Sequence, residues 1–471
     1  MHKLLLINPW IYDFTAYDLW SKPLGLLYLA SFLRKLGYKI RYIDCTEHYP
    51  NETKPSVKAK KYGAGHYSRQ VIEKPDILKH IPRNFARYGI NEDNFTRRLL
   101  EYRDSDAVLL TSMMTYWYPG LKRAVELVRK HLPGKPVILG GVYATLLPDH
   151  ARRQIQPDYL ITGPGEIKVA ELLAVLSGGD IAGAAIPETL DDYPWPAFDL
   201  IKQPRYLVAL TSRGCPYSCS ICAQSQIAMP FAQRSPEAVV AEIMHHGKVY
   251  RVQDFAFYDD ALFINRDHHI KRILEMLIRQ RIPLRFHTPN GLFARQIDPE
   301  LAELMYKSAF KTVRLSFETS DDARKMDLNS KVSNEDMIKA VANLTAAGYK
   351  ASDLEAYVLM GLPSQSMEEV IASILFAHSL GIIVRLAFFS PIPGTLEFRR
   401  AVASGLIPED VDPLITNKSI FMLSTGLYDG ESFRKVTDFA QALNELARRN
   451  LRQVTDVRIG AAVSRIVKEM Q

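Results

Sequence analysis

The chain has 471 residues, 47% hydrophobic and 24% charged, which excludes a disordered or fibrous molecule and is too long for one compact core. Fifty-nine Lys and Arg against 52 Asp and Glu leave a formal charge of +7. With no run of five or six basic residues, that excess reads as a solvated cationic surface and not as a nucleic-acid footprint. Four cysteines are too few to staple a secreted protein of this size.

The N-terminus (MHKLLLINP) is too short in apolar residues for a signal segment and predicts a first buried strand. A helix follows with Leu26, Leu29, Ala30 and Leu33 on one face, ended by Gly37, and residues 39–44 predict a second strand. Residues 47–104 are irregular, Tyr- and Lys-rich and broken by prolines, and are read as an insertion that is functional or only partly ordered. Strands at 107–111, 136–139 and 158–162 alternate with helices at 121–131 and 149–154, and glycines (Gly140, Gly141, Gly163) stand at the strand ends. That alternation predicts a doubly wound, Rossmann-like α/β domain over residues 1–185. A proline-rich stretch, 186–204, is read as an extended linker.

A second alternation begins at 205. Strands are expected at 206–211, 254–258, 284–287, 312–317, 354–360 and 382–389, with helix starts at Ser235, Asp298 and the Ser366–Glu369 capping box. Six β-α units over 205–400 predict a partial (β/α)6, TIM-like barrel. Residues 401–471 form a helical C-terminal extension whose apolar face is Ala440, Leu443, Leu446 and Ala447. The most apolar late stretch, 371–389, is interrupted by His378, Gly381 and Arg385, so no membrane span is expected and the reading is cytoplasmic.

Three of the four cysteines, Cys215, Cys219 and Cys222, lie as C-x3-C-x2-C directly after the first barrel strand. Thiolates suit soft metals, and a 4Fe-4S cubane with three protein thiolates keeps one iron open for a ligand. Structural zinc would need a fourth ligand, and the remaining cysteine, Cys45, lies in the other domain.

This spacing after a barrel strand resembles the radical S-adenosylmethionine (radical SAM) superfamily, over about residues 203–400. The resemblance implies that Cys215, Cys219 and Cys222 hold a 4Fe-4S cluster whose open iron binds SAM. An electron from a flavodoxin- or ferredoxin-type donor then cleaves SAM to a 5′-deoxyadenosyl radical. By the same resemblance, Tyr217 and Ile221 in the cysteine loop, Asp259 and Asp260 in FYDDALF, Asn290, Glu318 in RLSFETS, and Gly361 and Pro363 in LMGLPSQS contact SAM. The family often has an aromatic residue where Ile221 stands, so the packing of the adenine differs here. Each of these residues falls at the carboxyl end of a predicted strand, where barrel active sites are built. His287 ends the third of those strands.

A doubly wound domain upstream resembles the cobalamin-binding subclass, on Thr111-Ser112, LGGVYATLLP (Gly140, Gly141, Val142) and DYLITGPGE (Thr162, Gly163, Glu166). The D-x-H-x-x-G string of many cobalamin proteins is absent, as is common in this subclass, and Tyr143 stands in place of its frequent GG-x-His. Tyr116, Trp117 and Tyr118 are placed to crowd or contact a corrin. The resemblance implies a cobalamin-dependent C-methyltransferase acting on a small molecule, with cobalamin-independent radical chemistry as the alternative. A non-enzymatic iron–sulfur or nucleic-acid-binding protein is the rival from another class. No catalytic side chain beyond these binding residues is singled out.

Overall fold

The structure, a computed structural model, describes residues 2–47, 49, 61–178, 186–227 and 229–449. It divides into two compact units. The first comprises Met1–Val208, Gln224–Arg234 and Asp412–Ile415; the second comprises Ala209–Ala223, Ser235–Val411 and the chain from Thr416 onward.

The first unit is built on a parallel sheet of β1 (Lys3–Asn8), β2 (Lys39–Asp44), β3 (Ala107–Leu110), β4 (Val137–Leu139) and β5 (Tyr159–Leu160), in the order β5-β4-β3-β1-β2. Strand β1 is an unbroken apolar run, and Leu4, Leu5, Leu6 and Ile7 have no exposure, as expected of a central parallel strand covered on both faces. Its register runs Lys3↔Lys39 against β2 and Leu4↔Ala107 against β3. Strand order therefore reverses between β1 and β3, which is where a doubly wound sheet opens a ligand crevice beyond its carboxyl ends.

The stretch predicted as an irregular insertion is folded from residue 61 on; residues 48 and 50–60 lie outside the described residues. Arg69–Val71 and Ala86–Tyr88 pair antiparallel, Ala86–Tyr88 also pairs with Ile11–Asp13, and a helix spans Glu92–Glu101. Helix N-capping by Asn91, whose side chain accepts from Asn94 N, starts that helix. The proline-rich stretch is likewise not an extended linker. It makes two 3-10 turns, Leu190–Asp192 and Phe198–Leu200, and buries Ala197 and Phe198 in the first unit. Ala197 N donates to Leu27 O at 3.1 Å, and Lys202 N to the Glu47 carboxylate at 2.7 Å.

A second sheet has seven strands, six of them in chain order, β6 (Leu207–Ala209), β7 (Asp254–Phe257), β8 (Arg285–His287), β9 (Phe310–Glu318), β10 (Leu354–Met360) and β11 (Ile383–Phe388), and the short strand Leu292–Phe293 pairs with β9 off that path. The expected caps are present: Ser235, Asp298 and Ser366 each accept the backbone N–H three residues on. Ion pairs bridge the amino-terminal halves of the strands. Arg285 holds Asp254 through two bonds of 2.8 and 2.6 Å, and Glu355 takes both Arg314 (2.8 Å) and Arg385 (2.5 Å). His287 belongs to this floor: fully buried, it bonds Asp254 through Nε2 and Thr312 through Nδ1, both at 3.0 Å. Its place at a strand end therefore serves the interior and not a ligand.

Strand β11 would leave a bare edge. The helix Gly430–Arg448 covers it with Val436, Ala440, Leu443 and Ala447 buried, while Leu446 is only half-buried. The Asn444 side chain pairs with the backbone of Val384 as another strand would, accepting from its N at 2.8 Å and donating to its O at 2.9 Å. The rest of the expected C-terminal extension, 450–471, lies outside the described residues.

Candidate active site

In the second unit the cysteine loop leaves the carboxyl end of β6. Its base is fixed by Asp259, buried at the end of β7, which accepts Thr211 N at 3.1 Å and the Thr211 and Ser212 hydroxyls at 2.6 Å each. Asp259 is thereby committed to the chain's own donors, whereas Asp260 is exposed and its charge reaches the Cys215 thiol. Asn290 ties the same turn from β8, donating to Tyr258 O at 3.0 Å and Asp259 O at 3.3 Å.

Further along the loop, Ser220 N donates to Leu328 O and Glu397 N donates to Ser220 O. Asn329 Nδ2 binds the carbonyl and hydroxyl of Ser218 at 3.0 and 2.9 Å. Tyr217 packs edge-on to Phe293, ring centres 5.0 Å apart, with Lys331 Nζ 5.1 Å over its ring. Ile221 is half-buried. Burial is the main influence on both Cys215 and Cys219, lifting the first and pushing the second up to about 11, with the charge of Glu318 adding to the second and that of Lys331 opposing both. The free thiols are thus held protonated, and a metal that binds them must displace protons.

Glu318 ends β9 at a backbone φ of +70°, a conformation that non-glycine residues adopt at a cost. Its Oε2 is buried without a hydrogen-bond partner, and burial raises its carboxyl above the usual range, with a bond from Ser330 opposing. The Ser220 hydroxyl, inside the cysteine loop, is also buried and unbonded. Gly361, at φ +96°, donates its N–H to Gln365 Oε1 at 2.9 Å, and a Cβ there would meet Met422 Sδ at 2.3 Å. Pro363 is buried in the same turn. Two buried polar atoms lacking partners, beside three thiols on one loop, form a place built for something the chain itself does not supply.

The thiols do not suit a single ion. Among the described residues, the one His/Cys/Asp/Glu group whose ligand atoms all lie within 4.8 Å is Asp267, Asp298 and Glu300, and Lys271 Nζ already fills it at 2.7, 2.9 and 2.5 Å. Thiolates of one zinc ion stand roughly 4 Å apart. Cys215, Cys219 and Cys222 do not form such a group, and three thiols on one loop are a donor set compatible with a 4Fe-4S cluster.

In the first unit, the crevice between β1 and β3 is lined by Asn8, Trp10, Ser21, Thr46, Ser112 and Trp117, among others. Gly141 (φ +91°) lets the ends of β3 and β4 touch: a Cβ there would lie 2.3 Å from Thr111 Oγ1. Ser112 O accepts Val142 N at 3.0 Å, and the Ser112 hydroxyl donates to Met114 O at 2.9 Å. Thr145 Oγ1 accepts Gly163 N (2.9 Å) and donates to Gly141 O (2.8 Å), joining the two glycine turns. Gly140 and Thr162 are half-buried, and the Thr162 carbonyl accepts Lys168 Nζ at 2.6 Å. Glu166 is buried at the first residue of the helix Glu166–Ser177, where a negative charge complements the helix dipole. Of the three neighbouring aromatics, Trp117 faces the crevice and donates to Asp13 at 2.8 Å, whereas Tyr116 and Tyr118 are buried. Tyr143, standing where a histidine was looked for, shares a 2.6 Å hydrogen bond with His150 Nδ1.

Sequence reasoning missed Asn8, Thr46, Ser330 and Lys331. Asn8-Pro9 closes the first strand, which is the signal a strand-order reversal would have pointed to, had the order been known. No pattern in the sequence marks Ser330 or Lys331.

Residues 210–377 match the family model of the radical SAM superfamily. Over 92% of this chain and 88% of the relative, the sequence is 24% identical to cytidylyl-2-hydroxyethylphosphonate methyltransferase of Streptomyces wedmorensis. It is 25% identical to an uncharacterized methyltransferase of Pyrococcus horikoshii over 66% of this chain and 72% of that one. Among solved structures, the fold is similar to the radical SAM methyltransferase TsrM of Kitasatospora setae (TM-score 0.63, 17% identity, 86% of this chain and 77% of that chain). It is also similar to the cobalamin-dependent radical enzyme OxsB (TM-score 0.58, 15% identity, 85% of this chain and 55% of that chain).

Proposed function

The chain belongs to the radical SAM superfamily, and from that premise we propose that it is a cobalamin-dependent methyltransferase acting on carbon of a small molecule. The observation that carries this reading is the pairing of the two sites. A cysteine loop with the unbonded Ser220 hydroxyl stands at the carboxyl edge of the β6–β11 sheet, with unbonded Glu318 Oε2 at the end of β9, and the first unit has a 2-1-3-4-5 doubly wound sheet with a narrow crevice at its switch point.

When bound, the cluster supplies the electron that cleaves SAM, and cobalamin supplies a carrier for the methyl group. Cys215, Cys219 and Cys222 would hold the cluster, and the Ser220 hydroxyl is free to donate a hydrogen bond toward it. Glu318 Oε2 offers an acceptor suited to a ribose hydroxyl of SAM, and Asp260 one suited to its ammonium. Burial around Glu318 excludes water from that acceptor, so a hydrogen bond made there counts for more than one made in solvent. In the first unit, the Gly141 and Gly163 turns give backbone approach to a corrin at the crevice, and Trp117 stands beside it. A flavodoxin- or ferredoxin-type donor is the expected source of the electron. Among the described residues no helix is long and apolar enough to cross a membrane.

The test is anaerobic reconstitution with iron, sulfide and hydroxocobalamin, followed by product analysis with SAM and a reductant. Corrin absorbance that survives desalting, together with both 5′-deoxyadenosine and S-adenosylhomocysteine, is expected. One observation favours cobalamin-independent chemistry instead: Thr145 bonds the two glycine turns to each other. Protein that sheds all corrin yet makes 5′-deoxyadenosine without S-adenosylhomocysteine would establish that second reading.

A further inference from the structure

The folded insertion builds a feature that the reading above leaves unused. Its strand Arg69–Val71 pairs through Ala86–Tyr88 to Ile11–Asp13, and Ile11, Tyr88 and Arg69 stand in register across the three strands. They therefore share one face of this small sheet. Ile11 and Tyr88 pack there with Tyr67 and Trp117, and Ile11, Tyr67 and Trp117 line the crevice above β1 and β3. Arg69 is thus carried on the crevice face. Beside it the chain forms an open hollow bounded by Phe14, Arg69, Lys74, Pro82, Arg83 and Asn84.

Among the described residues, three cations and no carboxylate bound this hollow. Arg83 is held in place, donating to Thr15 Oγ1 at 3.0 Å with its guanidinium 5.8 Å over the Phe14 ring. Lys74 is tethered to Ile81 O at 2.6 Å, and among the described residues neither it nor Arg69 has an acidic partner. The nearest buried acid, Asp13, is already committed to Trp117 Nε1 and to the backbone N–H groups of Phe14 and Thr15. Elsewhere the chain pairs its fixed cations, as with Arg123 on Glu92, Arg285 on Asp254 and Arg400 on Asp327. Three like charges held around one concavity repel each other, and an anion seated among them relieves that repulsion. Asn84 adds an amide donor, and guanidinium groups match the oxygens of a tetrahedral phosphorus centre.

We propose that this hollow seats a phosphoryl or phosphonyl group of the substrate, so that the substrate class is an anionic phosphorus ester or phosphonate. The proposal rests on the methyl-transfer reading for the word substrate, and on the hollow alone for the anion.

The full-length protein is titrated calorimetrically with inorganic phosphate and with methylphosphonate, at constant ionic strength held by chloride. Saturable binding is expected, weakened about tenfold by Arg69→Gln and again by Lys74→Gln. Lys79→Gln serves as a control, since Lys79 pairs with Asp76 and does not bound the hollow; it should bind as wild type. Arg69→Lys keeps the charge and should recover part of the loss. Phosphate that acts no better than chloride, or equal affinity in wild type, Arg69→Gln and Lys74→Gln, would overturn the assignment. The same preparations, reconstituted, are assayed for methyl transfer and 5′-deoxyadenosine. Phosphate binding without methyl transfer would count against the proposed reaction and leave the hollow standing; the converse would remove the hollow alone.

Discussion

Glu318 concentrates the evidence for a ligand into one atom. A carboxylate oxygen buried without a donor is unfavourable by about 1–3 kcal/mol, and that cost is recovered only when a hydroxyl or N–H arrives. Glu318→Gln keeps the shape and weakens the acceptor. SAM affinity of the reconstituted protein should fall about tenfold while its cluster absorbance is unchanged, as equilibrium dialysis with parallel spectra would read. Equal affinity in the variant would take Glu318 out of the site. Glu47 tells a different story at the same scale. Burial, then the neighbouring charge of Asp44, raises it from 4.5 to about 7. The folded chain therefore holds a proton that the unfolded chain has released between those two values, so stability falls as pH rises across that window. The loss is of the order of 1–3 kcal/mol. Urea midpoints at pH 5 and pH 7.5 should differ in that direction, and Glu47→Gln, which still accepts from Lys202 N, should flatten the difference.

At the scale of elements, Asn444 shows how one side chain closes an open sheet. It meets both backbone groups of Val384 and stands in for a further strand at that edge. Asn444→Leu would leave a buried N–H and C=O unbonded and should cost about 2–4 kcal/mol in chemical denaturation. A change under half a kcal/mol would mean that the edge is solvated. The six strands of this sheet that run in chain order were legible from their apolar runs because most are followed by a capped helix, whereas the two-residue strand Leu292–Phe293 was not; residues 354–360 coincide with the strand Leu354–Met360. The folded insertion was not legible. Its strands are three residues long, too short for alternation to register, and Ala86–Tyr88 finds its partner Ile11–Asp13 more than seventy residues upstream. The proline-rich stretch misled for a related reason: proline predicts local extension, but Phe198 and Ala197 were decided by burial against the first unit. Of the site, the thiols were legible because metal ligation fixes residue type and spacing together. The commitment of Asp259 to Thr211 and Ser212 was not, since a paired acid reads the same whether its donors come from a ligand or from the chain.

For the molecule as a whole, the two ligand-bearing edges draw on separate residues. The thiols and Glu318 lie in the second unit, and the crevice from Asn8 to Trp117 lies in the first. On the proposed function, loss of one cofactor should therefore be separable from loss of the other, although turnover would require both. The variant Cys215→Ala/Cys219→Ala/Cys222→Ala should retain hydroxocobalamin through desalting, fall from about four irons per chain to almost none, and make no 5′-deoxyadenosine. Because a ligand that binds only the folded state adds RT ln(1 + [L]/Kd), hydroxocobalamin at a hundredfold over its Kd should stabilise wild type and the triple variant alike, by about 2.7 kcal/mol. Iron analysis, corrin spectra and melting curves on the same two proteins decide the matter. Iron retained in the triple variant would mean that the metal is held elsewhere. Corrin lost with the cysteines would mean that the crevice alone does not bind it.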